Sequence, residues 1–269
     1  MSSSRNTRAY LSTDDKAFIN KLLQSADGWL MEDAADLTTF LLNAQVAAEI
    51  GGPCVEFGVY HGKYLLLLHH SERKRGGWVG GYDIFEECHP EYTWRKAEEL
   101  FGTRDGVALW RQNTSLLGSE DVLAMLGEPS RFVSVDGDHS AEGAFHDLTL
   151  AAGVLHEKGV VALDDIYNPM AIGVSEGSFR FLIAEDCPLL PFAYCGNKLF
   201  LCRKEQYQTY FELAESIVSV CPHLLISKSF QERAANGRQN VAQRLMGHDV
   251  LIFTPWVPSK RRWSWLRWR

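Results

Sequence analysis

The segment of residues 131–167 constrains the fold more than any other part of the sequence. Two apolar runs, residues 132–135 and 160–163, have the length and composition of buried strands, and acidic residues follow each run at once. Between the runs, Ser140 is typical of a helix N-cap, and apolar residues then recur at helical spacing. A strand, a helix and a strand joined over this length predict two parallel strands with a right-handed crossover.

The polar residues of this segment are predicted to meet at one edge of the sheet. Asp136 and His139 follow the first strand, and Asp164 and Asp165 follow the second. In open α/β sheets the ligand crevice lies outside the carboxyl ends of the strands. Carboxylates in one crevice repel one another unless a cation joins them or protons neutralise them, so a divalent metal is the simplest explanation. The alternative is that these aspartates cap helices or hold loops.

A glycine turn follows an earlier predicted strand, residues 54–57. It contains Glu56, Gly58, Tyr60 and Gly62. The spacing E-x-G-x-x-x-G differs from the dinucleotide fingerprint and from the phosphate loop, so neither is predicted. Glycine allows the backbone to pass close to a ligand, and the next helix would offer free N–H groups. A plain tight turn explains the same residues equally well.

Two further predicted strands, residues 78–82 and 107–110, also end in polar residues. Asp83 follows the first and is placed to accept hydrogen bonds from two ribose hydroxyls, although a helix cap or a loop anchor is an equal alternative. Asn113 and Ser115 lie in a polar loop after the second strand. That loop either faces an adenine or caps the next helix.

The chain outside these motifs fits the same α/β plan. A helix with one apolar face precedes the first strand, and the loop of residues 166–173 is a candidate lid over the site. A hairpin of two apolar runs is predicted within residues 192–202, followed by a long helix over residues 206–220. Residues 1–15 are polar, and we expect them to be frayed.

Length and charge limit the possible functions. The 269 residues fit one large α/β domain or one domain with a small appendage, and the net charge of −7 argues against a general nucleic-acid binder. The scattered cysteines predict reduced thiols in a cytoplasmic protein. The start lacks an export signal, and no apolar run approaches the roughly 20 residues of a membrane helix.

The last residues have an unusual composition. Five basic and no acidic residues lie in the last ten, which leaves 22 basic against 34 acidic residues in the rest of the chain. Residues 256–269 also contain four tryptophans. Such a tail could make a peripheral contact with an anionic membrane, pack on a partner subunit or be a disordered end.

Together, the motifs EFGVYHG, VDGDH and LDD and the acid at Asp83 resemble those of the class I S-adenosylmethionine (SAM) dependent methyltransferases. More narrowly, they resemble the metal-dependent O-methyltransferases of sugars and natural products, the mycinamicin type. The resemblance covers roughly residues 29–204. It implies a Rossmann-like α/β fold with a mostly parallel seven-stranded sheet, an antiparallel last strand and helices on both faces. It also implies a helical cap over residues 1–50, a SAM-binding domain over 51–204 and an appendage over 205–269.

The resemblance also assigns roles to individual residues. Asp136, Asp164 and Asp165 match the family's metal-binding acids, with Mg²⁺ or another divalent cation as the ion, and His139 matches its proposed base, so that His139 and Asp136 are the expected catalytic groups. The expected cofactor contacts are Glu56, Gly58, Tyr60, Gly62, Asp83, Asn113, Ser115 and Asp136. One departure is Tyr64, which stands where a small hydroxyl residue is frequent.

The implied activity is Mg²⁺-assisted methylation of a hydroxyl on a sugar, polyol or glycosylated natural product. A small-molecule or glycan acceptor and a homo-oligomer are expected, and nucleic acid is not an expected partner. Two alternatives stay open: an iron-dependent hydroxylase of the same fold, since carboxylate and histidine clusters can hold iron, and a non-catalytic SAM-binding scaffold protein.

Overall fold

A nine-stranded mixed sheet forms the centre of the computed structural model, which describes residues 10–254. In chain order the strands are β1 (Cys54–Phe57), β2 (Val79–Asp83), β3 (Val107–Arg111), β4 (Ser130–Val135), β5 (Leu155–Leu163), β6 (Leu189–Cys195), β7 (Lys198–Arg203), β8 (Ala242–Leu245) and β9 (His248–Ile252). Their order across the sheet is β3-β2-β1-β4-β5-β7-β6-β9-β8. Strands β1 to β5 run parallel, whereas β7 is antiparallel to both β5 and β6.

Helices cover both faces of this sheet. They are α1 (Thr13–Ser25), α2 (Glu32–Ala47), α3 (Lys63–Arg73), α4 (Pro90–Phe101), α5 (Ser119–Leu126), α6 (Ala141–Val154), α7 (Ile172–Leu182), α8 (Tyr207–Val220) and α9 (Leu225–Ala234). Alternate strand residues belong to two apolar clusters: Phe132 packs with α2, α3 and α8, and the next residue, Val133, packs with α5, α6 and α7. Both faces of β4 are therefore buried, as its continuous apolar run predicts. The predicted α/β fold is confirmed.

The C-terminal segment lengthens the sheet beyond the seven strands expected. β9 pairs in parallel with β6, and β8 pairs antiparallel with β9 at the edge. The sequence AQRL of β8 is polar and partly exposed, so it carries no apolar pattern that would indicate a strand. The proposed division of the chain near residues 50 and 204 stays a prediction. Within residues 10–254, none of the helices combines the length and the apolar character that a membrane crossing requires.

Helix α1 begins at Thr13, inside the segment of residues 1–15 that was expected to be frayed. The Ser12 side chain accepts a hydrogen bond from the Asp15 N–H, and the Asp15 carboxylate accepts one from the Ser12 N–H, which is a capping box. The capping pattern S-x-x-D can be read from the sequence. The start of the helix was not predicted because the polar composition of residues 1–15 indicated a frayed end instead.

Asp15 also joins three helices. Its buried carboxylate accepts hydrogen bonds from Asn43 of α2 (3.1 Å) and from His70 of α3 (2.8 Å), and it forms an ion pair with Lys74. Burial alone would raise the pKa of Asp15, but the hydrogen bonds from His70, Lys74 and Ser12 outweigh it and hold the pKa well below its usual range. The charged form of Asp15 therefore stabilises the N-terminal helices.

We predict that Asp15→Asn lowers the free energy of unfolding by about 2–3 kcal/mol at neutral pH, because it removes the negative charge that both His70 and Lys74 contact. The native pKa is depressed, so the stabilisation is complete above the unfolded value of about 4 and is lost as pH falls below it. Urea denaturation at neutral pH and below about pH 4 measures both effects. The exposed Asp14→Asn is the control, and an equal loss in that variant would contradict the prediction.

Candidate active site

The strand register brings the predicted site residues to one edge of the sheet. Phe57 of β1 pairs with Val135 of β4, and Val135 pairs with Leu163 of β5. The ladder continues one residue further, since Asp136 N–H donates to the Phe57 carbonyl (2.8 Å) and Asp164 N–H donates to the Val135 carbonyl (2.9 Å). The acids after β4 and β5 are therefore neighbours at the carboxyl edge.

The glycine turn after β1 packs tightly against the protein itself. Gly58 has φ +84°, and a Cβ atom there would lie 1.9 Å from the backbone oxygen of Asp136. Gly62 has φ +78°, and its Cβ atom would lie 2.3 Å from Cγ2 of Thr93 in α4. Contact with the protein is thus sufficient to explain glycine at both positions, as the tight-turn alternative expects, and approach of a ligand to this backbone stays a prediction.

Asp83, at the end of β2, stabilises this turn through hydrogen bonds. Its Oδ2 accepts hydrogen bonds from the N–H groups of Val59 (2.7 Å) and Tyr60 (2.8 Å), and its Oδ1 accepts one from Phe85 (2.6 Å). Tyr60 is held in a left-handed conformation, φ +49°. A carboxylate offers about four lone-pair positions. Three are used by the backbone, which matches the loop-anchor alternative. Contact of Asp83 with the ribose hydroxyls stays a prediction.

The predicted adenine loop after β3 forms a single 3₁₀ turn, Thr114–Leu116. The Asn113 side chain caps it by accepting a hydrogen bond from the Ser115 N–H (3.0 Å), and His146 of α6 lies 2.9 Å from the Thr114 carbonyl. The capping alternative is therefore the one observed. Contact of Asn113 and Ser115 with adenine stays a prediction, and the exposed Leu116 offers an apolar surface to a flat ring.

Three of the polar residues at this edge form a group that can hold a metal. One ligand atom each from Asp136, His139 and Asp165 lies within 4.8 Å of the others. His139 Nε2 is 3.7 Å from Asp136 Oδ1 and 3.7 Å from Asp165 Oδ2, and the imidazole is half exposed. Asp165 has φ +59°, a conformation that Asp tolerates better than most residues and that clusters at functional sites.

The electrostatics of this group act on the histidine. The close contact with Asp136 raises the pKa of His139, and burial, which lowers it, is outweighed once the charges of Asp136, Asp165 and Asp164 are added. Two carboxylates and an imidazole are a mixed oxygen and nitrogen donor set, which suits Mn²⁺ or Fe²⁺ as well as Mg²⁺. The residues therefore fit a divalent cation.

Asp164 stands beside this group and has other partners. Its side chain is only 6% exposed. Its Oδ2 accepts a hydrogen bond from Lys198 Nζ (2.7 Å), and its Oδ1 accepts one from the Asp165 N–H (3.0 Å). Of the three acids predicted to bind the metal, the structure groups Asp136 and Asp165 with His139 and pairs Asp164 with Lys198.

Glu56, on β1, lies beneath the glycine turn. It is buried, its Oε1 accepts a hydrogen bond from Ser134 Oγ at 3.4 Å, and its Oε2 has no hydrogen-bond partner among the described residues. Burial raises the pKa of Glu56 well above its usual range, and the charge of Asp136 raises it further. The neutral form of Glu56 is therefore favoured more than in a free glutamate. Contact of Glu56 with the methionine part of SAM stays a prediction.

Tyr60 also carries an aromatic surface that the sequence analysis missed. Trp29, in the segment before α2, stacks on the Tyr60 ring with the centroids 5.7 Å apart and an angle of 14° between the planes. Trp29 remains largely exposed. A small, partly open cavity at this edge measures about 10 Å³, and its lining includes Asp136, Asp147 and Asp164. It has room for about one water molecule and is too small for a nucleoside.

Comparison with known proteins agrees with this geometry. Residues 55–166 match a family profile described as "Methyltransferase domain". Among solved structures, the fold is similar to the O-methyltransferase NovP, with a TM-score of 0.52 and 16% sequence identity, covering 66% of this chain and 83% of NovP. No curated protein matches the sequence significantly.

Two other solved structures show a weaker likeness. CalS11, a TDP-rhamnose 3'-O-methyltransferase of calicheamicin biosynthesis, has a TM-score of 0.45 and 19% identity, covering 71% of this chain and 94% of CalS11. The MycE methyltransferase of the mycinamycin pathway, in complex with Mg and SAH, has a TM-score of 0.49 and 16% identity, covering 71% of this chain and 54% of MycE.

The sheet order and the NovP likeness define the fold as that of a class I methyltransferase. The family match goes further, since the matched residues include the glycine turn, Asp83 and the acids after β4 and β5. The chain is an enzyme with a SAM-dependent methyltransferase domain. The enzyme class predicted from the sequence is confirmed.

We predict that Gly58→Ala weakens binding of the demethylated product S-adenosylhomocysteine (SAH) at least tenfold and destabilises the fold by about 3 kcal/mol. The reasons are the left-handed φ and the collision of Cβ with the Asp136 carbonyl. Calorimetric titration with SAH and urea denaturation measure the two effects.

Gly102→Ala is the matched control. Gly102 ends α4 with φ +77°, and its Cβ would meet no atom within 4 Å. This variant should lose only about 1 kcal/mol and keep full SAH affinity. An unchanged SAH affinity in Gly58→Ala would show that the turn does not shape the cofactor site.

Proposed function

We propose that this enzyme transfers the SAM methyl group to a hydroxyl of a sugar, polyol or glycosylated natural product, with Mg²⁺ or another divalent cation held by Asp136 and Asp165. The observation that carries the proposal is the group of Asp136, His139 and Asp165 at the same sheet edge as the glycine turn. The fold likeness to NovP, an O-methyltransferase, supports oxygen as the accepting atom.

A divalent cation at this group would supply a Lewis acid that makes a hydroxyl proton easier to remove. Asp136 and Asp165 are both partly open to solvent, so substrate oxygens can approach the side that the protein leaves uncovered. The carboxylates would also orient two neighbouring hydroxyls of the acceptor, which aligns the attacking oxygen with the methyl carbon and sulfur.

His139 is the proposed base. Its Nε2 lies 3.7 Å from a carboxylate oxygen of both Asp136 and Asp165, beside the cation that they would hold, so the ring is placed to accept the hydroxyl proton. Its half-exposed position leaves the ring reachable from the acceptor side. Because alkoxide and sulfonium charges cancel during transfer, the other residues need chiefly to align the reactants and exclude water.

We also propose a small-molecule or glycan acceptor, a cytoplasmic location and a homo-oligomeric state. The Trp-rich tail is proposed to contact a membrane peripherally, and residues 256–269 lie outside the described residues. The acidic net charge supports the absence of nucleic acid among the partners.

Asp165→Asn should weaken divalent cation binding at least tenfold while SAH affinity changes less than about threefold, because only the metal side loses a charge. Asparagine tolerates the left-handed φ of Asp165, so the backbone should be preserved. Calorimetric titrations with Mg²⁺, Mn²⁺ or Fe²⁺ and with SAH measure both affinities.

The control is Asp138→Asn, an exposed acid at the same edge whose carboxylate accepts hydrogen bonds from Ser140. It should leave metal affinity near the wild-type value. Turnover that requires Fe²⁺ and oxygen would favour a hydroxylase, and failure of the wild type to bind either SAM or SAH would refute the proposed function.

His139→Ala should lower the rate of SAH formation with a panel of hydroxyl acceptors by about 10²–10⁴-fold, which is the usual contribution of a general base. SAM affinity should stay nearly intact, since His139 does not contact the glycine turn in the described hydrogen bonds. His223→Ala, an exposed histidine between α8 and α9, is the control. A large loss of SAM affinity in His139→Ala would instead show that the histidine holds the site together.

A further inference from the structure

A fully buried lysine lies beneath the acidic edge. Lys198 is the first residue of β7 and is 1% exposed. The register pairs Leu199 with Leu163, which puts Lys198 opposite Asp164. Its Nζ donates to Asp164 Oδ2 at 2.7 Å. A buried ammonium at this place has to be explained, because lysine is almost never buried without a partner.

The surroundings keep this lysine charged. Burial would lower the pKa of Lys198, but the nearby charges of Asp164 and Asp136 outweigh burial and raise it. Its Nζ also lies 4.2 Å from the centroid of the Tyr64 ring, within the range of a cation–π contact. The Tyr64 hydroxyl is in turn 2.8 Å from Thr38 Oγ1 of α2. Tyr64, the position that departs from the family pattern, therefore covers the ammonium group.

The hydrogen bond from Lys198 limits what else Asp164 can bind. Both of its oxygens already accept hydrogen bonds, one from Lys198 and one from the Asp165 N–H. The group that can hold a metal consists of Asp136, His139 and Asp165 and leaves Asp164 out. The protein thus supplies one positive charge of its own next to a site for a divalent cation.

We propose that Lys198 is a fixed internal counter-ion that keeps Asp164 out of metal coordination and weakens divalent cation binding at the neighbouring group. The inference rests on the proposed function only in assuming that this group is the metal site. It identifies Lys198 as a positioning residue that touches neither the reacting oxygen nor the methyl group.

The test is a titration with Mn²⁺, followed through the electron paramagnetic resonance signal of the free ion, on the full chain. Lys198→Met removes the positive charge and keeps the length of the side chain, so Mn²⁺ should bind about tenfold or more tightly than to the wild type. SAH affinity, measured in parallel, should change little. An unchanged or weaker Mn²⁺ affinity in folded Lys198→Met would overturn the proposal.

Lys63→Met is the matched control. Lys63 is also buried, but its Nζ donates to the carbonyls of Gly28 (2.8 Å) and Leu23 (3.4 Å) rather than to the acidic edge. Its removal should leave Mn²⁺ affinity unchanged. A gain equal to that of Lys198→Met would show that the effect is unspecific.

If Lys198→Met does not fold, the double variant Lys198→Met with Asp164→Asn provides the test instead. It removes a positive and a negative charge together and leaves no unpaired buried carboxylate. If Asp164 is outside the metal site, Mn²⁺ affinity should return to within about threefold of the wild type, because the net charge is restored. A loss of tenfold or more, like that of Asp165→Asn, would show that Asp164 binds the metal and would refute the inference.

The outcomes also separate this inference from the proposed function. If the wild type binds no Mn²⁺ and Lys198→Met gains binding, the counter-ion role is supported and the metal-assisted mechanism fails. If the wild type binds Mn²⁺ and Lys198→Met binds it no better, the counter-ion role fails and the mechanism stands.

Discussion

Repulsion among carboxylates at the carboxyl edge of the sheet is the constraint on which the site depends. The parallel register places Glu56, Asp136, Asp164 and Asp165 together, and burial makes their charges costly. The protein neutralises them in different ways. Burial favours the neutral form of Glu56, Asp164 pairs with Lys198, and Asp136 and Asp165 remain around His139. The proposed site for an external cation is therefore the pair of acids, Asp136 and Asp165, that has no lysine or arginine partner among the described ion pairs.

Asp136 connects this acidic group with the glycine turn. Its carboxylate faces His139, while its backbone oxygen lies where a Cβ on Gly58 would be. Asp83 holds the same turn from the other side through the N–H groups of Val59 and Tyr60. The glycine turn and the acidic group therefore share one close backbone contact, which would favour the fixed alignment that the proposed methyl transfer needs.

The sequence was most informative where one local pattern decides the structure. Apolar runs followed by acids located β4 and β5, because a strand buried on both faces needs a continuous apolar run. The partner of Asp164 was not predictable in this way, because it depends on the register between β5 and β7, which are 34 residues apart along the chain at this pair. β8 was missed since an exposed edge strand needs no apolar pattern.

The loop after Asp165, residues 166–173, is the candidate lid over the site. Tyr167 packs against Tyr194 with the ring centroids 5.3 Å apart, and Ser175 Oγ donates to the Ile166 carbonyl at 2.5 Å, so both ends of the loop are held by the fold. Between these contacts Tyr167, Met170 and Ile172 are exposed, Met170 most of all at 89%. A loop held at both ends that exposes apolar side chains is suited to shield one side of an acceptor, because apolar side chains limit the access of water.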